Sequence, residues 1–173
     1  MKYLTQKIGN NVLKQGNPGG VSDFLSVDDV IKSWDNVVII KQSGENTIGL
    51  RPAQFGALCA IKSHWTVSNN PATVVMPTGT GKTETMIATV VSEMVKRTLV
   101  IVPSHLLRQQ TVSKFLSFGV LQKIGIINDK AQYPSVTLLK SAPKTKEDLE
   151  YFVSHSNIIV TTMSLLKGFT DEF

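Results

Sequence analysis

The chain has 173 residues, 42% hydrophobic and 18% charged, with mean hydropathy +0.05, the balance of one soluble globular domain and not of a disordered chain. Its 18 Lys and Arg against 13 Asp and Glu leave a net charge of +5 spread along the chain, which permits a polyanionic partner without requiring one. No apolar run approaches the ~20 residues that span a bilayer, the polar start Met1 to Lys7 predicts no secretory leader, and the single Cys59 excludes an internal disulfide and points to a reducing compartment, the cytoplasm.

Residues 1–20 are rich in Asn, Gln, Gly and Lys and close on Asn17-Pro18-Gly19-Gly20, a loop signal. Ser26-Val27-Asp28-Asp29 has the form of a capping box and predicts a short helix through Val30, Ile31 and Trp34. The β-branched run Val37 to Ile40 predicts a strand. Pro52 suits a first helical turn, and Ala53, Ala57, Leu58, Ile61 and Trp65 recur at helical spacing, so residues 52–66 read as an amphipathic helix with Cys59 and Trp65 in its apolar company. Thr73 to Met76 predicts a short buried strand, residues 77–81 a loop, and Lys82 to about Arg97 a helix. Further strands are expected at 98–102, 123–127, 136–139 and 157–161, with helices from Pro103 to about Phe118 and from Lys144 to His155. Alternation of this kind implies a parallel sheet covered on both faces.

The densest chemical signal is Pro77-Thr78-Gly79-Thr80-Gly81-Lys82-Thr83, between an expected strand and an expected helix. Gly79 and Gly81 let the backbone turn sharply and approach an anion without a Cβ in the way. The amides so freed, with the helix N-terminus, direct positive charge at phosphate. Lys82 would reach the β and γ phosphates and the Thr83 hydroxyl would bind Mg²⁺, with Glu84 in the first turn beside them. Met76 stands where the general pattern has its first glycine.

That departure is itself a likeness: Pro77 to Thr83 resembles motif I, the ATP-binding loop of superfamily 2 helicases and translocases, in which the first glycine is often absent. Upstream, Arg51-Pro52-Ala53-Gln54 resembles the Arg-x-x-Gln element of that superfamily. The resemblance implies that Gln54 reads the adenine edge, with Arg51 packing nearby. Downstream, Val100 to Gln110 is similar to motif Ia, and Asn157 to Leu166 to the strand and threonine pair of motif Ib. By resemblance, Ser104, Arg108 and Gln110, with Thr161 and Thr162, hold a nucleic-acid backbone, DNA ahead of RNA. The implied fold is a three-layer, RecA-like α/β P-loop domain with a parallel sheet, incomplete, over residues 50–173. Residues 1–49 form an N-terminal extension that matches no motif.

The same resemblance implies an acidic box that binds Mg²⁺ and a second RecA-like domain. Asp171-Glu172 lacks the apolar strand such a box needs and is not accepted as one. The expectation is therefore the ATP-binding, N-terminal piece of a longer helicase or translocase, inactive in hydrolysis by itself. An unrelated P-loop NTPase or kinase and a non-catalytic interaction module stay open as alternatives. His64, His105 and His155 are too widely spaced to predict a metal site.

Overall fold

In the computed structural model, residues 2–20 and 22–167 are described. They carry a five-stranded sheet in the order β1-β2-β4-β5-β3. β3 (Thr98–Val102), β4 (Ser135–Leu138) and β5 (Ile158–Thr162) are parallel, with Val100 opposite Val160 and Thr137 opposite Ile159. β1 (Tyr3–Ile8) and β2 (Asn11–Gly16) form a hairpin, and β2 runs antiparallel to β4. The α/β class therefore stands, but the sheet is mixed where a wholly parallel one was expected.

The hairpin occupies residues for which no strand was predicted. Polar side chains, which hide a strand in sequence, bind it here. The buried Asn11 accepts the amides of Lys140 and Ser141 at 2.7 and 3.0 Å. The buried Gln15 donates to the Tyr133 carbonyl at 3.1 Å and accepts the Leu25 amide at 2.8 Å. Each amide satisfies loop groups that burial would otherwise leave unpaired. The two-residue turn uses Gly9 at φ +57.

The expected helices form with small shifts. α1 (Val27–Lys32) is capped by Ser26, whose Oγ accepts the Asp29 amide at 3.1 Å. α2 (Pro52–Val67), α3 (Lys82–Ser92), α4 (His105–Ser117) and α5 (Lys146–His155) follow, and a last turn, α6 (Met163–Leu166), succeeds β5. Ser104 and Thr145 cap α4 and α5 through their side chains. The core gathers Val30, Trp34, Leu50, Leu58, Ile87, Phe115, Phe118 and Ile158, so residues before and after position 50 share it. Trp34 meets Phe118 edge-on at 6.4 Å, and Phe118 stacks on Tyr133 at 5.1 Å.

Three expected strands do not form. Residues 73–76 are extended but unpaired, with Val75 90% exposed. β3 is an edge of the sheet, its Leu99 and Ile101 also exposed, and a cleft of about 430 Å³ separates it from Val74 and Met76. A strand exists only through a hydrogen-bonded neighbour: β3 has β5 on one side, but residues 73–76 have none among the described residues. Residues 37–40 and 123–127 meet each other in a single bridge, Val38 to Ile127, because Gly125 turns the second segment at φ +66. Trp65 and Cys59 are exposed and not buried as expected: α2 buries only Gln54 and Leu58, so its apolar spacing does not mark a core face.

The burial of the two tryptophans predicts opposite responses. Trp34→Ala is expected to cost about 3–5 kcal/mol in urea unfolding, whereas Trp65→Ala is expected to cost less than about 1 kcal/mol.

Candidate phosphate-binding site

Two helix starts build the site. The loop 77–81 leads into α3, with Gly79 at φ +80 and Gly81 at φ +91, both in the left-handed region that favours glycine. The Pro77 carbonyl accepts the Thr80 hydroxyl at 2.7 Å and the Lys82 ammonium at 2.8 Å. An ammonium has three N–H donors, so this bond leaves Lys82 capacity for an oxyanion. Gly81 carries the first helical acceptor, taking the Thr85 amide at 3.0 Å.

The start of α2 bolts this loop in place. Arg51 Nη1 donates to the Gly79 carbonyl at 2.8 Å, and Gln54 Nε2 donates to the Gly81 carbonyl at 3.2 Å. Gln54 Oε1 accepts the Arg51 amide at 2.9 Å, which closes the helix N-terminus. The buried Gln54 thus serves backbone at both ends of its amide. The approach is close enough that a Cβ on Gly81 would lie 2.1 Å from Gln54 Nε2. Gly79 has open space around it, so its glycine is required by φ alone.

Together these elements line a concave pocket of about 520 Å³, with Arg51, Gln54, Thr78, Gly79, Gly81, Lys82, Thr83 and Glu84 on its surface. The structure therefore brings together the residues assigned to the phosphate loop and to the Arg-x-x-Gln element, which lie far apart in sequence. It also adds Gly49, Lys114, Val120 and Ile124 to the wall. Lys114 was not foreseen. Its Nζ donates to Glu84 Oε1 at 2.6 Å across 30 residues of sequence, and no local pattern announces such a pair.

Among the described residues no three His, Cys, Asp or Glu side chains converge as a metal site. Thr83 offers a hydroxyl oxygen at the first turn of α3, beside the loop. That fits Mg²⁺ carried in with phosphate oxygens and water, since this ion accepts few protein ligands in such sites. Asp171 and Glu172 lie outside the described residues.

The residues assigned to a nucleic-acid backbone gather at the C-terminal ends of β3 and β5, where Val102 pairs with Thr162. They differ in access. Ser104 and Gln110 are exposed. Arg108 is buried, its Nη1 donating to the Leu139 carbonyl at 2.9 Å and its Nε unpaired, and burial lowers its pKa from the ordinary arginine value. Thr161 and Thr162 are buried too. Nearness in sequence to an exposed turn did not carry these three side chains into solvent.

A family model described as "Type III restriction enzyme, res subunit" matches residues 47–172. The match takes in both helix starts of the pocket and the parallel strands, and leaves the hairpin and α1 outside it. No curated protein and no solved structure gives a match to the chain.

Two glycines offer a test of the packing. Gly81→Ala combines a left-handed φ with a collision at Gln54, and is expected to destabilise the fold by about 2–3 kcal/mol in urea unfolding. Gly56→Ala, inside α2 with open space at its Cβ, is expected to stabilise by roughly 0.5–1 kcal/mol.

Proposed function

The chain belongs to the type III restriction enzyme res subunit family, a helicase-like family of superfamily 2 with a RecA-type domain, and on that premise we propose that it binds ATP with Mg²⁺ as the first motor domain of a nucleic-acid helicase or translocase. The observation that carries this reading is the loop 77–83. It opens α3 with two left-handed glycines and sets Lys82 and Thr83 on a concave, mostly basic pocket.

Each residue has a part in the proposal. Backbone amides from Thr78 to Lys82 cradle the phosphates, and the N-terminus of α3 adds its positive end. Lys82 moves from the Pro77 carbonyl to the β and γ oxygens. Thr83 takes one position on the Mg²⁺ that arrives with the nucleotide. The ion, when bound, neutralises phosphate charge as it does in phosphoryl transfer generally. Arg51 lies over the loop and packs against the nucleotide. Gln54 meets the adenine edge while keeping the loop in shape. Pro77 and Thr80 preserve the loop's turn, and Glu84 borders the site.

The nucleic-acid partner, DNA ahead of RNA, is part of the same proposal, with ATP hydrolysis driving movement along the strand. The exposed Ser104 and Gln110 at the start of α4 would meet the backbone, with the helix N-terminus aimed at phosphate. The buried Arg108, Thr161 and Thr162 would support that turn from beneath. No helix among the described residues is long and apolar enough to cross a membrane.

Titration with a fluorescent ATP analogue and Mg²⁺ tests the nucleotide site. Saturable binding is expected, and Lys82→Ala should weaken it roughly 10- to 100-fold, the worth of a charge-assisted contact. Excess Mg-ATP should also raise the melting temperature of the unchanged chain, because a ligand that binds only the native state stabilises it. Equal, negligible binding by both folded chains would leave a non-catalytic module as the better reading.

A further inference from the structure

Resting on the nucleotide-site reading, we infer that Lys114 is a positioning residue for that site: it neutralises the buried carboxylate of Glu84 and thereby sets the pocket's affinity for anionic ligands. Four charged side chains line the pocket, Arg51, Lys82 and Lys114 against Glu84. Glu84 lies in the first turn of α3, two residues after Lys82, and its side chain is 9% exposed. Its oxygens lie near two glycines, whose missing side chains leave it space. One lies 3.4 Å from where a Gly81 Cβ would be, and the other 3.4 Å from where a Gly119 Cβ would be.

A carboxylate so placed opposes a triphosphate. Its charge is little screened by water, and it stands beside the lysine on which phosphate binding depends. Lys114 answers it. The ammonium reaches from α4, 43% exposed, and donates to Oε1 at 2.6 Å. α4 is braced for this contact, because the Lys114 carbonyl accepts the Gly119 amide at 2.8 Å and so ties the helix end that encloses Glu84. Two other roles for Glu84 are weaker. A favourable place at a helix N-terminus explains an acid there, but not its burial or its lysine. A metal ligand would have to act through Oε2 alone, because Oε1 accepts from Lys114.

The mechanism acts through charge, so it predicts a pattern across variants and across ligands. Lys114→Met leaves an unpaired buried carboxylate and is expected to weaken Mg-ATP binding about tenfold. Glu84→Gln frees a cation beside the phosphates and is expected to tighten binding by about threefold. Joining the two changes removes both charges and should return affinity to within about twofold of the unchanged chain. The effects should shrink from ATP to ADP and vanish for adenosine, which a purely structural role would not produce.

The experiment is a titration of all four chains with Mg-ATP, Mg-ADP and adenosine at low salt, each chain first checked for a cooperative melt. A weakened double variant would mean that Lys114 contacts the nucleotide directly and would overturn the inference. So would weaker binding by Glu84→Gln, which would make the carboxylate a ligand of the metal. If Lys114→Met does not fold, Glu84→Gln and the double variant decide between these outcomes. Failure of the unchanged chain to bind any nucleotide would instead overturn the nucleotide-site reading, and the inference with it.

Discussion

Two hydrogen bonds from the start of α2, Arg51 to the Gly79 carbonyl and Gln54 to the Gly81 carbonyl, hold the loop 77–81 in its shape. A loop with two left-handed glycines would sample many conformations if left alone, since glycine carries the largest backbone entropy. Anchoring it removes that freedom before any ligand arrives, and preorganisation of this kind leaves more of the contact energy for binding. The same contacts fix α2 against α3. The pocket thus exists because one helix start is laid against another.

The rest of the architecture serves that arrangement. The parallel strands β3, β4 and β5 deliver their C-terminal ends to one edge, where α4 begins. α4 then returns past the loop and presents Lys114 to Glu84. Its end is unusual: Phe118, at φ +54, and Gly119, at φ +58, both adopt the left-handed conformation. A buried phenylalanine holds that backbone because Trp34 and Tyr133 enclose its ring. The aromatic core contributed partly by residues before position 50 thereby shapes the chain that leads into Val120, on the wall of the candidate pocket.

An open flank contrasts with this closed one. The edge of β3 and the unpaired residues 73–76 face each other across an apolar cleft. Parallel strands are ordinarily covered on both sides, and an exposed apolar edge invites pairing with another strand. The hydrogen-bonded and closely packed side is accordingly the one built by β2, β4, β5, α3 and α4. The loop and α3 keep their form without a paired strand behind them, because Gln54 and Arg51 supply from α2 what the sheet does not.

Local chemistry was legible in the sequence. Glycines flanking a threonine, followed by Lys-Thr, specify a left-handed turn and a helix start within seven residues. Pro52, Ser26 and Ser104 mark helix starts through their own side chains and ring. The order of these signals, with strands between, was enough to name an α/β domain and to single out the residues that line its basic pocket. What the tertiary structure alone decided was pairing and burial. The β-branched run at 73–76 had strand propensity but found no neighbour, and the polar run at 3–16 had little but found β4. Arg108 was expected to help hold a nucleic-acid backbone and lies inside, while Glu84 and Lys114 met across 30 residues. Turns and caps are satisfied within a few residues, so a sequence can state them. Strands, buried charges and ion pairs are completed by groups remote in the chain, and only the folded arrangement chooses which.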